Sequence, residues 1–259
     1  MKFRSLFAAP AALLLLTLSA ANAAQVIALI GKDTIAMVDT VQKRATGSVR
    51  VTGISGALVG IDVRPADGML YGLVDDGSIV TIAMDGRATM RARLDAMLGK
   101  GIVATVDFNP VADRLRVMGA NGVNLRVNVD DGKVTKDGDH HYGDTDMHSG
   151  ETPNIVAGAY TNSVKGAKET ALYDIDATIG GLIKQAPPND GVLGAVGKLG
   201  MKADRVAFDI WSDGAGRNEA WLMAGNTLYR VDLATGKATE AVKISGVTGA
   251  VRDIAIIRM

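Results

Sequence analysis

Short runs of apolar and β-branched residues, each ended by a tight polar turn, follow one another from Val26 to the end of the chain. Val26-Ile27-Ala28-Leu29-Ile30 turns at Gly31-Lys32-Asp33 into Thr34-Ile35-Ala36-Met37-Val38. Leu70-Tyr71-Gly72-Leu73-Val74 turns at Asp75-Asp76-Gly77 into Ser78-Ile79-Val80-Thr81-Ile82. The runs 115–118 and 124–129 flank Ala120-Asn121-Gly122, and 171–175 and 182–184 flank a turn at 178–181. The runs 220–223 and 227–232 flank Ala224-Gly225-Asn226. Asp-Gly and Asn-Gly between alternating runs predict β-hairpins. Several second strands end in another turn and a polar segment, as at 130–135 and 232–239.

A further run precedes most hairpins and carries an Asp near its centre. The examples are Val59-Gly60-Ile61-Asp62-Val63, Ala104-Thr105-Val106-Asp107-Phe108, Val206-Ala207-Phe208-Asp209-Ile210 and Val251-Arg252-Asp253-Ile254. Val156-Ala157-Gly158-Ala159-Tyr160 repeats the pattern with Ala159 in the Asp position. The period is about 45–50 residues, near the length of a propeller blade. Counting from Asp253 off the C-terminus and on from Ala24 to Asp62 gives about the same interval, which a closed ring requires and a linear solenoid does not. The pattern predicts an all-β fold, a β-propeller of five blades with about four strands each. Pairing of the N- and C-terminal strands would close it, with 251–259 as the first strand of the blade that 26–51 completes, hiding strand edges that otherwise template aggregation. Six blades is the competing count, if 133–153 or 185–202 hides a degenerate blade. A β-sandwich is the plain alternative and leaves the wrap-around interval unexplained.

The N-terminus changes the picture of where the protein resides. Met1-Lys2-Phe3-Arg4 is basic, 5–18 is uncharged with Leu13-Leu14-Leu15-Leu16 at its core, and Ala21-Asn22-Ala23 is an Ala-x-Ala cleavage site. This is a signal-peptide pattern, too short for a bilayer span of about 20 residues and interrupted by Pro10. The expected layout is a cleaved leader at 1–23 and one propeller domain at 24–259, exported to the periplasm or beyond, with no later span. There is no cysteine, so stability must come from packing and closure. The chain balances 28 basic against 28 acidic residues and shows no basic stripe, which argues against nucleic acid as a partner.

Leu58-Val59-Gly60-Ile61-Asp62-Val63-Arg64-Pro65-Ala66-Asp67-Gly68-Met69-Leu70-Tyr71-Gly72-Leu73 resembles the signature of domain-of-unknown-function family 4394. Val106-Asp107-Phe108-Asn109-Pro110 with Asp113-Arg114-Leu115-Arg116-Val117, Asn124-Leu125-Arg126-Val127-Asn128 with Asp130-Asp131-Gly132, and Ala159-Tyr160-Thr161-Asn162 are similar to it in the same order. The resemblance implies an exported bacterial protein and supplies no activity. The chain departs from the family before Pro153. Members usually have small and polar residues there; this chain has Asp139-His140-His141-Tyr142-Gly143-Asp144-Thr145-Asp146-Met147-His148.

That loop holds all three histidines, together with Asp137 and Glu151. His140, His141, Asp144, Asp146 and His148 are candidate ligands for zinc or another divalent metal, as mixed imidazole and carboxylate donors suit such ions. A solvated loop is the alternative, since the spacing matches no known site and the calcium-loop Gly and Glu offsets are missing. The recurrent Asp62, Asp107, Asp209 and Asp253 are expected to be structural, accepting backbone N–H bonds at blade junctions. The other reading, paired acids for glycoside hydrolysis, requires unlike residues at one spot rather than one acid per unit. No Gly-x-Ser-x-Gly, phosphate-binding or dinucleotide motif occurs. The expected function is a non-catalytic binding or scaffold propeller holding a protein, glycan or small molecule on a loop face. The alternatives are a metal-assisted, lactonase- or glycosidase-like hydrolase using 137–151, and a structural surface or matrix protein.

Overall fold

The computed structural model describes residues 25–96, 99 and 101–257. The predicted leader lies outside the described residues. The chain folds into five antiparallel blades. β1 (Gln25–Ile30), β2 (Thr34–Asp39) and β3 (Arg44–Arg50) begin the first blade. The second holds β4 (Leu58–Val63), β5 (Leu70–Val74), β6 (Ser78–Ile82) and β7 (Ala88–Arg93). The third holds β8 (Ala104–Asn109), β9 (Arg114–Gly119), β10 (Asn124–Val127) and β11 (Val134–Lys136). β12 (His141–Tyr142) leads into the fourth, with β13 (Ile155–Tyr160), β14 (Leu172–Asp176), β15 (Gly181–Gln185) and β16 (Val192–Lys198). β17 (Ala207–Ser212), β18 (Asn218–Ala224), β19 (Thr227–Val231) and β20 (Ala238–Lys243) form the fifth. β21 (Val251–Ile257) returns to the first blade and pairs with β1, from Gln25 opposite Ile257 to Ile30 opposite Val251.

This is a five-bladed β-propeller closed by its terminal strands, as the wrap-around interval predicts. The two long stretches that raised a count of six are absorbed elsewhere. The first supplies β11 and β12; the second supplies β16, reached through a 3-10 turn at Pro188–Asp190. β12 is the unforeseen strand, a fifth one that pairs in parallel with β16.

Hydrophobicity falls from the inner strand to the outer one, because inner strands are covered on both faces by neighbouring blades. β5 is buried at every position, whereas β3 alternates and β7 and β20 are mostly exposed. Each of the five apolar clusters fills the seam between two adjacent blades. The seam between the third and fourth blades joins Met118, Tyr142, Ile155, Tyr160, Leu172, Ile183 and Leu193. Among the described residues no helix is long and apolar enough to cross a membrane.

Candidate functional site

The inner strands β4, β8, β17 and β21 line the centre of the ring, and each carries one buried Asp. These acids bridge blades. Asp253 Oδ2 accepts the Ile61 N–H at 2.9 Å and Asp62 Oδ2 accepts the Phe108 N–H at 2.7 Å. Asp107 Oδ1 accepts the Tyr160 N–H at 2.9 Å and Asp209 Oδ2 accepts the Ile256 N–H at 2.6 Å. Three of the four also accept, through the other oxygen, the N–H of the next residue in their own strand. Gly60 makes room: a Cβ there would lie 2.6 Å from Asp253 Oδ2.

The ring brings carboxylates close together. Oxygens of Asp62, Asp107 and Asp209 lie within 4.8 Å of one another, and among the described residues theirs is the group of His, Asp or Glu able to share one metal ion. Burial, and then the charge of Asp209, holds Asp62 well above the ordinary carboxylate range. Burial, with the charges of Asp62 and Asp209, does the same to Asp107. Burial pushes Asp209 up to about 6, against the pull of the Ile256 and Ile210 N–H groups. Burial, followed at a distance by the Asp209 charge, also raises Asp253. Carboxylates this close need a shared proton or a cation between them.

One mouth of the channel opens into a cavity of about 290 Å³ walled by Asp62, Asp209, Ser163, Lys165, Trp211 and Ser212, with apolar surface from Ile210 and Ile256. The hydroxyls here already have partners. Ser163 Oγ donates to Tyr160 O, and Ser212 Oγ donates to Asn218 Oδ1 while accepting the Ser163 N–H. No histidine lines the cavity; its titratable groups are the Asp62 and Asp209 carboxyls and the Lys165 amine.

The histidine-rich loop lies away from this mouth, against the third–fourth seam. His140 is buried, its backbone N–H donates to Gly122 O, and neither ring nitrogen has a partner. Burial, helped by the Arg116 charge, pulls its pKa down to about 4. His141 is exposed on β12, with Nδ1 2.9 Å from Asp139 O. Asp144 is exposed. Asp146 accepts the His148 and Ala195 N–H groups, tying the loop to β16, and His148 Nδ1 sits 2.9 Å from Glu151 Oε1. The loop candidates therefore take separate partners and do not gather around one point.

Two polar assemblies were not foreseen from the sequence. At the third–fourth seam Arg116, 1% exposed, donates to Asp137, Asn124, Tyr160 and Asn189. Behind it, Asp174 is fully buried with neither oxygen hydrogen-bonded, and burial pushes it up to about 8. Between the second and third blades Arg64 forms a two-pronged pair with Asp113, at 2.8 and 2.6 Å, and also reaches Asp130 and the Tyr71 hydroxyl. Tyr71 donates to Asp67 at 2.9 Å. The signature residues Arg64, Asp67 and Tyr71 thus join two blades. Their presence in one short stretch was the signal; the partners are too distant in sequence to be named from it.

No curated protein matches the chain. Among solved structures, a protein of unknown function from Bacteroides caccae is 11% identical, with a TM-score of 0.45, over 92% of this chain and 100% of that one. Another of unknown function, from Bacteroides thetaiotaomicron VPI-5482, is 15% identical with a TM-score of 0.51, covering 92% of this chain and 66% of the other. Glutaminyl cyclase of Myxococcus xanthus is 13% identical with a TM-score of 0.44, over 76% and 68% of the two chains. At these identities the likeness concerns the fold alone. The model of the family described as "Domain of unknown function (DUF4394)" matches residues 34–255, and the chain belongs to that family.

Proposed function

We propose that this protein is an exported, non-catalytic binding propeller that holds a small polar ligand at the Asp62–Asp209 mouth, above a divalent cation bound by Asp62, Asp107 and Asp209. The observation that carries this reading is the convergence of those three buried carboxylates beside a cavity with Trp211 and Lys165 in its wall. Oxygen ligands suit calcium or magnesium better than zinc. A carboxylate has about four lone-pair positions, so accepting two backbone N–H bonds leaves capacity for a metal. The cation would relieve the repulsion that adds to burial in raising Asp62 and Asp107.

Binding is favoured over hydrolysis because the two serine hydroxyls of the cavity already donate to fixed partners, the Tyr160 carbonyl and the Asn218 side-chain oxygen. Export rests on the leader pattern at 1–23; N-terminal sequencing of the purified protein from the producing cell should begin at Ala24, and an intact Met1 would contradict it.

The binding test uses the fluorescence of Trp211 in a Trp221→Phe background, since the chain has two tryptophans and Trp221, opposite Asp209 in the neighbouring strand, is buried in the apolar cluster that Trp211 packs against. Titration with calcium or magnesium should change the Trp211 emission saturably at one ion per chain, and Asp107→Asn should weaken that response at least tenfold. A flat titration with both ions, and no heat in calorimetry, would overturn the cation site.

A further inference from the structure

The outer strands of the third blade carry a second concave site, separate from the channel. A groove of about 290 Å³ is lined by Arg114, Arg126, Asn128, Lys133 and Thr135. Strand register explains the convergence. Arg116 faces Arg126 across β9 and β10, which puts Arg114 next to Asn128; Arg126 faces Thr135 across β10 and β11, and the turn brings Lys133 beside Asn128. All five side chains therefore project from one face of the sheet.

The fifth blade provides an internal control. Trp221 faces Arg230 and Arg230 faces Thr239, so Arg114, Arg126, Asn128, Lys133 and Thr135 correspond to Glu219, Arg230, Asp232, Lys237 and Thr239. There the two cations are matched by two acids, and Glu219 pairs with Arg230 and Arg217. In the third blade an arginine replaces the first acid and an asparagine the second, leaving three positive groups and no negative one in the lining. The turn does not require the neutral residue. Asn128 Oδ1 caps it by accepting the Asp130 N–H, as Asp232 Oδ1 does with Ala234 and Asp39 Oδ1 with Val41.

Of the nearby carboxylates, Asp113 and Asp130 hold Arg64 and Asp131 accepts the Lys133 N–H, while Asp137 takes two bonds from Arg126 and one from Arg116, so among the described residues Arg126 is the one cation of the groove with an acid partner. Among the described residues Arg114 and Lys133 form no ion pair; Arg114 donates only to the backbone oxygens of Ala112 and Asp113, which orients its guanidinium. Like charges placed together cost stability unless a counter-charge joins them. We propose that this groove is a binding site for a small multivalent oxyanion of the phosphate or sulfate type, held by Arg114, Arg126 and Lys133 with Asn128 and Thr135 as neutral hydrogen-bonding partners.

The test is calorimetry of the full-length purified protein with inorganic phosphate and with sulfate at low ionic strength, against sodium chloride of matched ionic strength. The wild type should bind one or both anions saturably and gain thermal stability beyond the chloride control. Asn128→Asp restores the charge of the repeat and keeps the turn cap; it should weaken binding at least tenfold with the anion-free melting temperature unchanged. Lys133→Gln, at an exposed position, should weaken it in the same direction. No binding by the wild type, or equal binding by Asn128→Asp, overturns the site. Because Asp62, Asp107, Asp209 and Trp211 are not part of the groove, either result leaves the channel reading to stand or fall on its own titration.

Discussion

Asp253 shows how one side chain joins two blades. Its two oxygens take the Ile61 and Ile254 N–H groups, both away from water. Asp253→Ala strands both donors, so about 1–3 kcal/mol of stability should be lost for each donor left unsatisfied. Urea denaturation measures it, and an unchanged midpoint would contradict a junction role. Arg64→Lys tests the other inter-blade knot. Lysine cannot reproduce the two-pronged pair with Asp113, and a loss of about 1.5–3 kcal/mol is expected for a hydrogen bond to a charged partner. The recurrent acids were legible in the sequence because their pattern repeats at a fixed interval. Arg64 was not, because Asp113 and Asp130 lie 49 and 66 residues away and no local pattern links them. The Asp62–Asp107–Asp209 convergence was half legible: the positions were evident, while their approach to within 4.8 Å follows from the diameter of the ring.

Strands and their closure follow the same logic at the next scale. The hairpins were legible because each places a glycine, asparagine or aspartate turn between apolar runs. The terminal strand was legible through the wrap-around interval, and β21 does pair with β1 along its length. A chain ending before Val251 loses that partner and exposes the edge of β1, with its Val26, Ala28 and Ile30. Such a truncation should sediment as aggregate, whereas a soluble monomer with a cooperative melt would argue against closure as a source of stability. β12 escaped prediction for a physical reason. Two residues, His141 and Tyr142, make a parallel pairing with Val192 and Leu193, about fifty residues on, and so short a strand carries no periodicity. Its anchors are tertiary: Tyr142 donates to Asp176, and Asp146 accepts the Ala195 N–H. The histidines beside it look like ligands in sequence, but this docking separates them.

Across the whole molecule, buried charge sets the pH dependence, and the proposed function rests on the channel. Asp174, pushed up to about 8, and Asp209, pushed up to about 6, take protons more readily folded than unfolded, where an aspartate titrates near 3.9. Their contribution to stability is lost as pH rises through those values and regained as pH falls. His140, pulled down to about 4, acts oppositely: below about 6.5 the unfolded chain accepts a proton that the folded chain refuses. Calorimetric melts should therefore rise as pH falls from 9 to 7, and below about 6.5 the proton taken up by unfolded His140 should offset part of the further gain, so that His140→Gln steepens it. A cation at the channel would flatten the part due to Asp62, Asp107 and Asp209 and leave the Asp174 part. The central claim is that this cation site exists, and its most direct test is elemental analysis of the purified protein with melts before and after EDTA. The account predicts calcium or magnesium at about one per chain after dialysis against it, a melting temperature lowered by EDTA, and recovery when the ion is returned. A metal-free protein whose melting temperature ignores EDTA and added calcium or magnesium alike would contradict it.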